Sequence, residues 1–211
     1  CEYKRSFLNI NPRILVITNI EADHLDYYKD LDDIIDAFHT LAMKVPNDGF
    51  IVCDTQDNNI LKVINGVEAQ IVDCNKFYKK LDLKIPGIHY LFDASLARSV
   101  SSILKLDESL SDKGLENFPG TARRFEYKGN ISEGALVYDD YAHHPTEVRA
   151  TLLGFRELYP KDEYRVTVIF QPHLFSRTKT LFDDFVNCFA LADKVIILPI
   201  YQAREVDDGS I

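Results

Sequence analysis

Four short clusters along the chain combine residue types that bind anions, cations or protons. Glu21, Asp23, His24 and Asp26 lie within six residues of one another. Carboxylates and an imidazole at this density can hold a divalent cation, and Mg2+ needs only one or two protein ligands because waters and phosphate oxygens complete its shell. The same residues also fit a solvated acidic loop whose Asp side chains cap the next helix. Arg123-Arg124 offers two guanidinium forks suited to phosphate or carboxylate, or a plain surface pair. Asp139-Asp140-Tyr141-Ala142-His143-His144-Pro145 supplies a carboxylate able to accept from ribose hydroxyls and a His able to take a proton or orient a substrate. A polar turn with a capping role is the alternative there. Gln171-Pro172-His173, followed by Ser176-Arg177-Thr178, places an Arg near a helix start, where it could bind a carboxylate or phosphate; Ser176 or Thr178 could equally be the helix cap. His89, after Pro86-Gly87, and His39, on an apolar helical face, read as structural.

The elements that must position these clusters follow from hydrophobic spacing. Arg13–Asn19 is a short β-branched run and reads as a buried strand, with a polar loop over Ile20–Asp30. Leu31–Lys44 carries apolar residues at helical spacing. Phe50–Cys53 and Ala69–Val72 read as strands, with a short helix over Asn58–Ile64. A lysine-rich stretch leads to Ile85-Pro86-Gly87, then to helices over Phe92–Leu104 and Asp107–Phe118, the latter capped by Asp107 or Ser109. Pro119-Gly120-Thr121 breaks the pattern, which sets a domain boundary near Asn117. Beyond it, strands over Ala135–Tyr138, Arg165–Phe170 and Lys194–Ile200 alternate with helices over Pro145–Tyr159 and Thr178–Leu191. That alternation implies a parallel α/β sheet with right-handed crossovers. Ligands in such sheets sit at the carboxyl ends of strands, where three of the four clusters fall.

Composition bounds the function classes. The chain has 211 residues, 46% of them apolar, enough for one or two domains with a sizeable core. With 24 Lys and Arg against 33 Asp and Glu, the net charge is −9. This disfavours a nucleic-acid binder, which needs clustered positive charge to release counterions. No apolar run approaches the length of about 18 residues that a membrane helix needs, so no membrane insertion is expected. Cys1, Cys53, Cys74 and Cys188 form no CxxC pair and read as reduced core residues of a cytoplasmic protein. No phosphate-cradling GxxxxGK[ST] sequence is present. A start at Cys1 and an end at Gly209-Ser210-Ile211 suggest a piece of a longer protein.

In this order the clusters resemble the Mur ligases, the ATP-dependent amide-forming enzymes of peptidoglycan synthesis. The resemblance rests on Thr18-Asn19-Ile20-Glu21-Ala22-Asp23-His24-Leu25-Asp26, Pro86-Gly87-Ile88-His89, Arg123-Arg124-Phe125-Glu126, Asp139 through Glu147, and Gln171-Pro172-His173 with Ser176-Arg177-Thr178. It runs over nearly the whole chain and is nearest to the branch that joins L-alanine to UDP-N-acetylmuramate. It implies that residues 1–116 are the later part of the central ATPase domain, with an incomplete sheet. Residues 117–211 would be a truncated Rossmann-like C-terminal domain with a parallel sheet. The N-terminal part of the same protein would carry the UDP-binding domain, the phosphate loop and a metal-binding Glu.

Residue by residue, the resemblance implies that His24 is a Mg2+ ligand and that Asn19 lies in the phosphate and substrate region. Arg124 would reach the ATP phosphates across the domain cleft, and Asp140 would hold the ribose. His89 and Asp93 would lie at the nucleotide. Tyr141, His143 and Arg177 would lie near the incoming amino acid or the acyl phosphate, with His143, Arg177 and Arg124 as the catalytic set. Tyr90 and Asp93 stand where the family has Asn residues facing adenine, and Leu174 where it usually has Arg. Two rival readings are the branch that attaches a ready-made peptide to UDP-N-acetylmuramate and a non-catalytic module that binds a nucleotide or partner. Alone, the chain is expected to be inactive.

Overall fold

The computed structural model describes residues 3–131, 134–207 and 209. The reading of Cys1 as a core thiol lies outside them. The chain divides into two compact units, Cys1–Asp82 with Tyr90–Glu116, and Leu83–His89 with Asn117–Ile211. The segment 83–89 therefore groups with the second unit.

In the first unit, β1 (Ile14–Val16), β2 (Phe50–Cys53) and β3 (Gln70–Asp73) form a parallel sheet in the order β1-β2-β3. β1 is shorter than the apolar run suggests. The central strand is the most buried, with Ile51, Val52 and Cys53 fully covered, as expected of a strand covered on both faces. Two helices fill the crossovers, α1 (Leu31–Ala42) and α2 (Asn58–Val63). Asp30 caps α1 by accepting from the Asp33 N–H at 2.9 Å, and Asp57 caps α2 through the N–H groups of Asn59 and Ile60. Ile34, Ile35, Ala37 and Leu41 turn the inner face of α1 into the core with Ile51, Ile60 and Val63. His39 is structural: its Nδ1 lies 2.8 Å from the Val63 carbonyl oxygen. α3 (Ile88–Ile103) starts one turn earlier than the spacing predicts, and α4 (Glu108–Asn117) is capped by Asp107, whose carboxylate accepts from the Leu110 N–H at 2.9 Å. Arg98 ties α3 to its neighbours through Asp112, Glu108 and the Phe77 carbonyl oxygen.

The second unit is α/β with parallel strands, as expected, but the first strand expected in that sheet pairs elsewhere. β5 (Leu136–Asp139) pairs antiparallel with β4 (Glu126–Asn130), while β6 (Thr167–Phe170) and β7 (Lys194–Ile197) form a separate parallel pair. β4 escapes the sequence pattern because Glu-Tyr-Lys-Gly-Asn has no apolar alternation, and its ladder shifts register between Tyr127 and Gly129. Helix α5 (Pro145–Leu158) carries Val148 and Leu152 into a small core with Phe170, Phe185 and Cys188. The single helix expected over residues 178–191 is two, α6 (Phe175–Thr180) and α7 (Phe182–Cys188), broken at Leu181. α6 begins after Leu174, which has φ 71° and makes no side-chain cap, so Ser176 and Thr178 are internal and cap nothing.

Cys53, Cys74 and Cys188 are free and buried. Burial pushes the Cys53 thiol up to about 12 and that of Cys188 to about 11, so neither is a thiolate at neutral pH. Among the described residues no helix is long and apolar enough to cross a membrane.

Candidate functional site

The first unit presents its polar cluster directly after β1. The strand hands over to the loop with the Ile17 N–H donating to Val52 at 2.9 Å. Ile20, fully buried, pins the loop to the core, and its carbonyl accepts from the Asn59 amide at 3.0 Å. Asn19 is exposed, its side-chain carbonyl accepting from the Thr18 hydroxyl at 3.2 Å. His24 sits at φ 52°, in the left-handed region. Its carbonyl accepts the N–H groups of Tyr27 and Tyr28, and its own N–H donates to Asp23 Oδ1 at 2.7 Å. The buried Tyr28 ring anchors this turn. His24 Nε2 lies 3.9 Å from Asp23 Oδ2, so one imidazole and one carboxylate share the spot. Among the described residues no three His, Cys, Asp or Glu side chains gather into a metal cage. The pair fits a cation that takes few protein ligands and completes its shell with phosphate oxygens and water, as Mg2+ does.

In the second unit two turns are laced together. Phe125, buried at φ 50°, stacks on Phe155 of α5 with ring centroids 4.3 Å apart and so fixes the turn that carries Arg123 and Arg124. Asp140 joins this turn to the one after β5. Its Oδ2 accepts from the Phe125 N–H and its Oδ1 from the Ala142 N–H, each at 2.8 Å. The Tyr141 N–H donates to the Arg123 carbonyl at 2.7 Å. The Tyr141 ring then lies beneath both guanidinium groups, 4.8 Å from Arg123 Cζ and 5.7 Å from Arg124 Cζ, a cation–π arrangement. Each Asp140 oxygen keeps lone-pair capacity for a ligand hydroxyl.

Helix α5 starts on a capping box. His144 Nδ1 accepts from the Thr146 N–H at 3.3 Å, and Glu147 Oε2 accepts from the N–H groups of His143 and His144 at 2.9 and 3.2 Å. Glu147 Oε1 lies 3.6 Å from Arg124 Nη1, and Oε2 lies 3.4 Å from His143 Nδ1. Burial pushes the Glu147 carboxyl up, but the two N–H donors and the nearby His143 and Arg124 outweigh it and hold the group below the usual range. Sequence reading assigned Glu147 no role, although a carboxylate three residues past an N-cap is the signal for a capping box.

A line of rings crosses the ends of β5, β6 and β7. Centroid separations are 5.4 Å from Tyr141 to His143, 6.1 Å from His143 to His173 and 5.5 Å from His173 to Tyr201. Arg177 is buried, with Nη1 3.3 Å from His173 Nδ1. Burial, then the charges of Arg177, His143 and Arg204, hold the His173 imidazole below its usual range against the pull of Glu205.

His89 lies against Gly87, whose φ of 120° and lack of a Cβ make room for it: a Cβ there would come within 2.5 Å of the ring. Burial lowers the His89 imidazole, while Asp140 and Glu157 oppose that shift. The structure thus brings Arg124, Asp140, Tyr141, His143 and Glu147 together, with His89 within electrostatic reach of Asp140 and with His173 and Arg177 further along the same row. Asp93 lies exposed on α3, four residues beyond His89, and belongs to the first unit, as do Asn19 and His24.

Residues 2–97 match the family described as the Mur ligase middle domain, and residues 123–210 match the Mur ligase glutamate ligase domain. The chain is 40% identical, over 97% of its length, to the UDP-N-acetylmuramate--L-alanine ligase of Caldicellulosiruptor saccharolyticus. It is 41% identical over its whole length to the protein of that name from Caldanaerobacter subterraneus. It spans about half the length of each, 50% and 51%. The structure of the UDP-N-acetylmuramate-alanine ligase of Thermotoga maritima superposes with a TM-score of 0.69 at 26% identity, covering 93% of this chain and 48% of that one. A folylpolyglutamate synthase of Mycobacterium tuberculosis, complexed with ADP, gives a TM-score of 0.70 at 20% identity over 90% of this chain and 48% of that one, a likeness of fold alone.

Proposed function

Because the chain belongs to the Mur ligase family and carries its middle and glutamate ligase domains, we propose that it is the later half of an ATP-dependent ligase that joins L-alanine to UDP-N-acetylmuramate. The observation that carries this reading is identity of about 40% to curated ligases of that name along nearly all of the chain, both units included. Residues 1–116 are then the later part of the ATPase domain and residues 117–211 the C-terminal domain. ATP as a substrate and the free, buried cysteines support a cytoplasmic setting.

In the proposed reaction the muramoyl carboxylate attacks the γ-phosphorus of ATP and ADP leaves. The neutral alanine amine then attacks the acyl carbon, phosphate departs with the former carboxylate oxygen, and the proton lost by the amine passes to the departing phosphate. Positioning and charge neutralisation supply most of the catalysis in such phosphoryl transfers. Mg2+, when bound, would neutralise the phosphate oxygens, and His24 beside Asp23 would hold it. Asn19, exposed on the same loop, would face the phosphate and substrate. Arg124 offers a fork to the phosphates. Asp140 would use its remaining lone pairs on the ribose, with His89 and Asp93 at the nucleotide. His143 and Tyr141 would line the acyl group and amine, and Arg177 would meet the carboxylate of the incoming amino acid.

The test supplies the full-length ligase with ATP, UDP-N-acetylmuramate and either L-alanine or a preformed peptide, and follows ADP and product mass. The reading expects ADP and a product heavier by one alanine residue. Ligation of the peptide alone would move the protein to the peptide-attaching branch. ATP binding without ADP release for either amine would leave a binding module.

A further inference from the structure

We propose that Glu147 is a positioning residue that acts through Arg124, holding its guanidinium ready for an anionic group, with the Tyr141 ring as the platform beneath. The inference rests on the ligase reading above, which makes that anion a phosphate of ATP. Glu147 is itself held firmly, because Oε2 takes the N–H groups of His143 and His144 at 2.9 and 3.2 Å. That fixes the carboxylate and aims Oε1 at Arg124 Nη1, 3.6 Å away. The Arg124 backbone is fixed as well. Its N–H donates to Thr121 at 3.1 Å, and the next N–H, that of Phe125, donates to Asp140 at 2.8 Å. Only the Arg124 side chain remains to be ordered, and Glu147 and Tyr141 flank its guanidinium, the ring centroid 5.7 Å from Cζ. A long side chain ordered in advance spares the binding step its rotamer entropy. Glu147 therefore has separable jobs: an uncharged acceptor can cap α5 and stay beside His143 Nδ1, 3.4 Å from Oε2, but only a carboxylate can hold a guanidinium by charge.

Glu147→Gln separates them, since Gln serves in a capping box as well as Glu does. In the full-length ligase, with ATP varied at saturating UDP-N-acetylmuramate and L-alanine, the variant should raise KM for ATP about two- to fivefold, the range of an exposed ion pair. It should leave kcat and the melting temperature near those of the parent. Tyr141→Leu should raise the same KM to a similar or smaller extent. In an Arg124→Ala background, Glu147→Gln should add no further loss, because the residue through which it acts is gone. Unchanged KM for ATP in Glu147→Gln, a fall in that KM, or an equal loss in both backgrounds would each overturn the proposal. An inactive parent enzyme would instead count against the ligase reading, so the two failures are distinct.

Discussion

The His24 loop of the first unit and the Arg124 turn of the second are held by different means. At His24 the backbone does most of the work: a left-handed residue and a carbonyl that accepts two N–H groups, helped by the Asp23 carboxylate and a buried Tyr28. Around Arg124 side chains do it, with Asp140 and Glu147 each accepting two backbone N–H groups and Tyr141 lying under two guanidiniums. The first arrangement exposes few groups and suits a cation that brings its own waters. The second presents cations in a set geometry and suits an anion. A loop fixed by its backbone can lose a side chain without moving, whereas a loop fixed by its side chains cannot.

That contrast orders the mutational expectations. His24→Ala in the full-length ligase should lower kcat about 100-fold or more, because the imidazole is proposed to hold the Mg2+ that neutralises phosphate charge, with little loss of stability because the turn is held largely by main-chain bonds. Near-normal turnover at limiting Mg2+ would break the assignment. Arg124→Ala should lower kcat/KM for ATP about 10- to 100-fold, the range of one charge-assisted contact to a substrate phosphate, and a change confined to the KM for alanine would place the residue elsewhere. Asp140→Asn replaces an acceptor with an amide N–H on one side, so one backbone N–H loses its partner. The second unit should be destabilised by about 1–3 kcal/mol, measured by thermal unfolding, and KM for ATP should rise as well.

The smallest expected effect is one of pH. His89 and His173 are both held below the usual imidazole range, by burial first. A lowered value in the folded state means that folding favours the neutral ring. The contribution is complete above pH about 6.5 and is lost as pH falls through the lowered values. The second unit should therefore unfold at lower temperature as pH drops from 7 to 5, and His89→Asn with His173→Asn should flatten that slope. A slope unchanged by the double substitution would assign the pH dependence to other groups.

Legibility in the sequence followed how much of each element is local. The capped helix α1, the all-apolar β2 and the Pro-initiated α5 carry their signals in consecutive residues and were readable. β4 was not, since its polar residues become a strand only by pairing with β5, and neither was the break at Leu181, which no Gly or Pro marks. Among the site residues, His24, Arg124, Asp140 and His143 stood out by type and by resemblance to the Mur ligases. Glu147 did not, because its role depends on Arg124 lying 23 positions earlier in the chain and close only in the folded unit. Asp140 was legible as a polar group but not as the tie between two turns.

Oxygen-isotope tracing tests the central claim, an ATP-driven ligation through an acyl phosphate, most directly. UDP-N-acetylmuramate labelled with 18O in its carboxylate is incubated with the full-length ligase, ATP and L-alanine, and the inorganic phosphate is analysed by mass spectrometry. The account predicts one 18O atom in phosphate for each alanine joined, with ADP formed in equal amount. Ligation that leaves the phosphate unlabelled, or that releases AMP in place of ADP, would contradict it.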